Sequence, residues 1–536
     1  MPRTDCLRML STSRFAFKWF TEFARRRRFP QEAEKATRYS LDISGQFTLS
    51  VRSRGMMRLR IFMTLGVSVL LGAVFAGLAL LPPKLVPPKS NSFVLAGVTV
   101  LNPGMVRLPD QTIIVELGRI VEVRPRHFSD PAPICEGCIA MPGLIDAHVH
   151  TPPKAIVGNQ ELFSLLYLAH GVTSVRDVGE TDDSIPALAR RLNSARLIGP
   201  HMYRCGRVIE SAPASWPAAL VVETAEEASA AVDQMADSGA DCIKVYNELN
   251  LEAFAGVIAA AERHGLPVLG HVPHAVGLTR VVDFESQHMT GLPYVDRPRP
   301  GLNMDIHDAD VLAMTEEEVG RILNVAVANR VSFTPTLANL SLRLSASDPA
   351  RFPPPAAWRD LPEFWSMVWQ SLVGHPTGEA EIAQRLQSVA RYHQVVGEAH
   401  ARGIDVLAGT DTLMPWVMPG ASLHQEIEAL ALAFADNEAA LAAATRINGQ
   451  HIAPGEVGII APGMRADILL LNEDPVVDLG ALTRWRFVAA GGWLYSREDI
   501  DVAVKRYRRH FHGKFYSWTM NWIVSMVAQD AKHTNG

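Results

Sequence analysis

The sequence is short of cysteine, with five in 536 residues, and that scarcity excludes a fold held together by a disulfide scaffold. It is short of net charge as well. A balance of −5 at pH 7 lacks the basic excess that a nucleic-acid partner demands, so no nucleic acid is expected. There is no glycine-rich phosphate loop, which argues against an open, doubly wound nucleotide-binding sheet. Long disordered tracts are missing too: hydrophobic residues at 48% and charged residues at 20% are the proportions of a globular chain with a large core.

One stretch departs from that balance. Ile61 to Leu81 carries no charge and is long enough to cross a hydrocarbon layer of roughly 30 Å. Arg52, Arg54, Arg58 and Arg60 precede it, and Pro82, Pro83 and Lys84 follow. The positive-inside rule then places the N-terminus in the cytoplasm and the residues after 82 outside, periplasmic or extracellular. A single-pass transmembrane anchor at 61–81 is expected. The competing reading is a signal peptide that starts at Met56 and is cleaved, leaving a secreted protein. Against it, the run exceeds a signal core of about 7–15 residues and shows no clean small-x-small cleavage site. Residues 1–60 are basic, with four arginines at 25–28 and no core pattern; a cytoplasmic tail fits, and so does a true start at Met56 or Met57. Export leaves four cysteines in an oxidising space. Cys135 and Cys138 are spaced for a small local disulfide or are two buried thiols, since a lone C-x-x-C is weak evidence for zinc or redox chemistry.

After a Pro/Lys-rich stalk at 82–92, residues 93–143 show short β-type runs punctuated by Gly, Pro and Asn. A matching set occupies 446–500: Gly458-Ile-Ile, Ala466–Leu471 and Trp485–Tyr495. Together they predict one β-sandwich made from segments on both sides of the centre. Over 144–445, strand-like Val172–Arg176, Cys242–Tyr246, Pro267–His271, Val331–Pro335 and Ile404–Ala408 alternate with helices. Helix starts carry the capping-box pairs Thr224…Glu227 and Thr315…Glu318, and the stops fall at Gly239, Gly265 and Gly403. This repeated alternation predicts an α/β fold, a (β/α)8 TIM-like barrel. Residues 343–394 exceed what a barrel loop needs and bring Pro353–Pro355, Trp358, Phe364, Trp365 and Trp369, material for a lid or substrate wall. The tail, 501–536, is basic and then aromatic, and too short to span a bilayer. It predicts an interfacial helix on the same membrane or a helix docked on the barrel.

The chemistry gathers at predicted strand ends. In Met141-Pro-Gly-Leu-Ile-Asp-Ala-His-Val-His150, two histidines one residue apart share a face of a strand. His148 and His150 therefore converge, as two imidazole ligands of one metal must. His271, His288 and Asp411 end later strands with donors that suit zinc and similar divalent ions. Lys244, a cation, would join them only as a CO2-derived carbamate, which burial beside metals favours. Tyr246 lies two residues on and is placed to donate a hydrogen bond to an oxyanion or to pack against the barrel mouth.

These residues carry a resemblance. Pro142–His150, His170–Asp177, Ile243–Tyr246, Gly270–Pro273, Leu407–Asp411 and Gly463–Asp467, in this order and spacing, resemble the amidohydrolase superfamily. Within it they are similar to the exported imidazolonepropionase-like branch, which includes metal-dependent prolidases and dipeptidases. The resemblance spans about Phe93 to Tyr495. It implies a first metal on His148 and His150, a second on His271 and His288, a carbamylated Lys244 bridging both, and Asp411 on the first metal as the proton carrier. One departure is Ser286-Gln-His288, where the family's histidine usually follows Ile-Glu. The implied activity is hydrolysis of an amide C–N bond in a small-molecule or short peptide substrate, a dipeptide included, by a metal-bridging hydroxide formed on two divalent ions, zinc foremost. A one-metal deaminase or cyclic-amide hydrolase competes on the same scaffold, and so does a membrane-tethered binding module without catalysis. The oligomeric state is left open.

Overall fold

The structure is a computed structural model and describes residues 74–75, 77–216, 218–294, 304–373 and 378–534. The expected basic segment, 1–60, and most of the expected anchor, 61–81, lie outside the described residues. Among the described residues no helix is long and apolar enough to cross a membrane.

The first strands are β1 (Phe93–Val100), β2 (Leu108–Glu116), β3 (Arg119–Pro125) and β4 (Ile139–Pro142). Strand and helix then alternate: β5 (Leu144–Val149), α1 (Asn159–Ala169), β6 (Val172–Asp177), α2 (Ile185–Asn193), β7 (His201–Arg204). Two short strands, β8 (Ile209–Glu210) and β9 (Leu220–Val221), precede α3 (Ala225–Asp237), β10 (Ile243–Val245), α4 (Leu251–His264), β11 (Val268–Gly270) and β12 (Glu285–Gln287). Next come α5 (Met304–Ala313), α6 (Glu316–Ala328), β13 (Ser332–Thr334), α7 (Leu337–Ser347), α8 (Phe364–Val373), α9 (Glu379–Ala401) and α10 (Ala421–Phe434). The chain continues through α11 (Asn437–Ala442), α12 (Asn448–Ile452), β14 (Ile468–Leu471), β15 (Trp485–Ala490) and β16 (Trp493–Ser496) to α13 (Arg497–Phe511) and α14 (Lys514–Thr534).

The outer strands from both ends of the chain meet in a single seven-stranded sheet, ordered β16-β15-β14-β4-β1-β2-β3. The expectation of a sandwich is corrected here, because these strands form one sheet rather than two facing ones. The physical reason lies in what covers its apolar face. Leu95, Ile113, Val115, Ala140, Ile468 and Leu470 pack with Cys135, Cys138 and Ile460, which come from irregular segments, so no second sheet is needed to close this core. Gly458-Ile-Ile, expected as a strand, is one of those segments: Asn102 exchanges two hydrogen bonds with the backbone of Ile460 and holds it as a plug.

The central strands pair in parallel, β5-β6-β7 in one sheet and β13-β12-β11-β10-β8-β9 in another. Bridges Phe333↔Val406 and Val149↔Thr412 join the segment around Asp411 to β13 on one side and β5 on the other. Ile404–Ala408, expected as a strand, makes only the first of these contacts. Thr315 and Glu318 form the full capping box of α6. At α3 only Thr224 caps, because Glu227 turns to the backbone of Glu223 instead. Four cysteines are paired, Cys135 with Cys138 and Cys205 with Cys242; the second bridge ties the end of β7 to the start of β10.

Candidate metal and catalytic site

Parallel register brings the chemistry to one end. Lys244 of β10 stands level with Leu269 of β11, and Leu269 with Glu285 of β12. The residues that leave these strands, Tyr246, His271 and His288, therefore emerge together at the C-terminal ends. β5 delivers His148 and His150 to the same place. Beside it, Asp411 N donates to His148 O at 2.8 Å and His150 N to Thr412 O at 3.1 Å. Buried Asp146 fastens the two segments, accepting from His148 N, Thr410 N and, at 2.7 Å, Thr410 Oγ1. This close approach requires Gly409: a Cβ there would sit 2.6 Å from Thr334 Cγ2 and 2.7 Å from His148 Cβ.

The structure brings the expected metal residues into one cluster. Ring centroids are 4.6 Å apart for His148 and His288, 5.0 Å for His271 and His288, and 5.4 Å for His148 and His150. Asp411 lies among them. Its Oδ1 is 3.3 Å from His148 Nε2 and 3.4 Å from His150 Nε2, and its Oδ2 is 3.9 Å from His288 Nε2. Donor atoms of His148, His288 and Asp411 all fall within 4.8 Å of one another. Lys244 Nζ donates to Gln287 Oε1, so the residue that departs from the family pattern gives the lysine a neutral partner.

These residues fit a divalent cation. Buried polar atoms are ordinarily paired, yet both ring nitrogens of His148 and Nε2 of His271 lack a hydrogen-bond partner among the described residues. A neutral imidazole offers one lone pair, and such a nitrogen left unpaired beside a carboxylate suits a divalent cation. The other ring nitrogens are held from behind, as metal ligands usually are: His271 Nδ1 with Asn247 Oδ1 and His288 Nδ1 with Thr336 Oγ1, both at 2.8 Å.

Burial sets the protonation states. It holds the imidazoles of His148, His271 and His288 well below their ordinary pKa, with Lys244 adding to the effect, so they are neutral and their lone pairs are free. Burial pushes the Lys244 ammonium down to about 7, against the pull of Asp411 and Glu285; near neutral pH a large share is free amine, the form that reacts with CO2. Burial alone would raise Asp411, but His288, His150 and Lys244 outweigh it and keep the carboxylate ionised. Tyr246 is pushed up by burial and by the Asp411 charge, so its phenol keeps its proton. Its ring packs 3.9 Å from that of His271. Beneath the cluster, Glu285 neutralises buried Arg176 at 2.5 Å and accepts from Thr334 Oγ1 at 2.6 Å.

Other residues of the site escaped the sequence reading. Asn339, on the first turn of α7, donates to Asp411 Oδ2 at 2.8 Å. Trp216 stacks on the His150 ring with centroids 4.9 Å apart, and its indole N–H is buried without a partner among the described residues. The loop that carries it is held by Glu210, which accepts from Ser215 N, Ser215 Oγ and Trp216 N. Asn247, Thr336 and Asn339 each follow a strand end within a few residues, the one signal that would have flagged them.

Comparison with known proteins follows the same outline. Residues 139–496 match the Amidohydrolase family. The fold is similar to that of a bottromycin amidohydrolase, with 24% identity over 79% of this chain and 91% of that one and a TM-score of 0.61. It is also similar to a putative prolidase from Bifidobacterium longum, at 23% identity over 78% and 99% of the two chains and a TM-score of 0.57. A Xaa-Pro dipeptidase solved with methionine in its active site aligns at 18% identity over 76% and 100%, with a TM-score of 0.55. No curated sequence matches the chain.

Proposed function

The chain belongs to the amidohydrolase family, an enzyme of C–N bond hydrolysis, and from that premise we propose that it cleaves the amide bond of a short peptide-like substrate, a dipeptide in the simplest case. The observation that carries this reading is the cluster of four histidines and one ionised carboxylate, with buried imidazole nitrogens left unpaired. His148, His150 and Asp411 would hold one divalent ion and His271 and His288 a second, zinc being the first choice, with Lys244 as a carbamate between them. Bound there, the ions would supply an acidified water and a polarised substrate carbonyl.

The protein's own groups do the rest. Asp411, ionised and oriented by Asn339, takes the proton of the attacking water and passes it to the departing amine. Tyr246 keeps its proton and donates a hydrogen bond to the oxygen that gains charge. Trp216, flat against His150, walls the site and offers its free N–H to a carbonyl or carboxylate of the substrate. A putative prolidase and a Xaa-Pro dipeptidase among the similar structures agree with a peptide-like substrate. The parallel strands β5, β6, β7, β10, β11, β12 and β13, with the Asp411 segment bridging β13 to β5, support closure into a (β/α)8 barrel. We also propose export with the 61–81 run as anchor; the two disulfides support it, since such bonds persist in oxidising compartments.

The test is elemental analysis of the full chain produced with zinc and bicarbonate, alongside a panel of dipeptides. The expected result is roughly two ions per chain, falling in Lys244→Ala, with dipeptide turnover lost in Asp411→Asn. One ion, indifferent to Lys244, would move the assignment to a one-metal deaminase or cyclic-amide hydrolase. No ion and no turnover would sink the enzyme reading and leave a binding module.

A further inference from the structure

The C-terminal tail resolves into two helices with opposite characters on their two faces. One face is docked. Tyr507, Phe511, Tyr516 and Met520 are buried, and Tyr516 OH accepts from Asn159 of α1, which also accepts from Trp365 of the 343–394 insertion. Arg508 pairs with Asp360 of that insertion at 2.6 Å. Among the described residues, nothing covers the other face. On α14, Trp518 is 67% exposed, Trp522 56% and Phe515 44%, against 2% for Tyr516 and 1% for Met520. Positions 515, 518 and 522 lie three and four residues apart and so share one side of the helix. Tryptophan so exposed costs the protein a large apolar area in water, and contiguous apolar patches on a surface mark contact sites.

We propose that this face rests on an anionic lipid surface. Charge argues for it. From Lys505 to Gln529 the sequence holds Lys505, Arg506, Arg508, Arg509 and Lys514 and not one carboxylate; Lys505 and Arg509 are exposed on α13, and Lys514 is exposed at the start of α14, next to Phe515. Tryptophan and phenylalanine facing one way with lysine and arginine at the flank is the composition of a helix lying in the headgroup layer, where indole rings favour the boundary. Continuity argues for it as well. The carbonyl of Lys84 accepts from Arg506 Nη1 at 3.3 Å, and Lys84 comes three residues after the end of the uncharged 61–81 run. A second copy of the chain would suit the apolar residues alone, but would set the two basic clusters against each other.

The test uses the full chain on vesicles with brominated acyl chains, of phosphatidylcholine alone or mixed with phosphatidylglycerol. Bromine quenches only tryptophans that reach the lipid. Quenching is expected to be at least about twofold stronger with phosphatidylglycerol and to fall to the level of the remaining tryptophans in Trp518→Phe/Trp522→Phe, a surface change that leaves the fold intact. A triple Lys505→Gln/Arg509→Gln/Lys514→Gln variant is expected to lose the preference for the anionic lipid. Equal quenching in the wild type and the double tryptophan variant would overturn the proposal, whether or not 61–81 inserts. So would protection of both tryptophans by dimerisation or by the chain's own 61–81 segment, read as lipid-independent emission with a cross-link to α14. Hydrolytic activity is not read, so failure here leaves the enzyme reading untouched.

Discussion

At the scale of single residues, the site separates groups that touch the reacting atoms from groups that aim them. Asn339 is of the second kind. Its hydrogen bond to Oδ2 holds the Asp411 carboxylate with Oδ1 toward His148 and His150, and loss of such support typically costs 10–100-fold in metal affinity or activity. Asn339→Ala is therefore expected to lower kcat by roughly 10-fold or more, with a smaller change in KM, in steady-state assays on whichever dipeptide is turned over. Trp216→Phe keeps the stacking on His150 and removes the N–H, so it is expected to raise KM several-fold with kcat little changed; an unchanged KM would remove Trp216 from substrate contact. Glu426 of α10 gives a pH prediction. Its Oε2 accepts from Ala338 N at the start of α7, its Oε1 has no partner among the described residues, and burial raises the carboxyl to about 8. A carboxyl raised in the folded state binds a proton that the unfolded chain, titrating near 4.3, has already released, so stability is full below about pH 4 and is lost as pH rises to about 8. Glu426→Gln mimics the protonated form, and its free energy of unfolding from urea titration is expected to exceed that of the wild type by a margin that grows from about pH 5 to above about pH 8, reaching on the order of a few kcal/mol. The histidines, Lys244 and Asp411 were legible in sequence because a strand end and a donor type are local facts. Asn339, Trp216 and Glu426 were not, because each acts through a neighbour brought close only by folding, 72 residues away in the case of Asn339 and Asp411.

At the scale of elements, periodicity located most central strands within a residue or two: β10, β11 and β13 fall inside the expected runs, and β6 extends one residue beyond its own. It failed where burial comes from irregular backbone. Gly458-Ile-Ile has the composition of a strand, yet Ile460 is a plug under the outer sheet, and no alternation distinguishes the two. The 343–394 insertion is helical, and its tryptophans are packing residues. Trp369 is buried and donates to Leu413 O at 3.1 Å, which fixes the loop just after Asp411, while its ring meets Trp416 at 5.4 Å. The insertion thus buttresses the Asp411 loop from outside. Trp369→Phe, which keeps most of the volume and loses the hydrogen bond, is expected to cost about 1 kcal/mol of stability. Trp369→Ala leaves a cavity and is expected to cost about 3–5 kcal/mol. Thermal denaturation of both variants, set beside their kcat, checks whether the loop loosens before the fold does. A freely moving lid would show no stability loss in either.

At the scale of the whole molecule, the chain's compartment and its covalent structure constrain each other. The Cys135–Cys138 pairing was one of two readings open to the sequence, whereas Cys205–Cys242 was not legible at all: 37 residues separate the two cysteines, and they meet only because the fold brings the segment before β10 to the end of β7, where Asp241 N donates to Arg204 O at 2.7 Å. With both bridges formed, Cys6 is the one cysteine of five left outside a disulfide. It stands on the far side of the 61–81 run, the side that the flanking arginines assign to the reducing cytoplasm. The charge rule and the redox rule therefore make the same assignment from different residues. Trapping thiols with acid in intact cells and alkylating the denatured chain before and after reduction tests both together. The expected mass shift is one alkyl group before reduction and five after, since Cys6 alone is a thiol. Five before reduction would place the catalytic unit in a reducing space and overturn the proposed export. None before reduction, with the same five after, would mean that Cys6 too has met an oxidant or a partner chain, and the orientation of the segment would have to be reversed or abandoned.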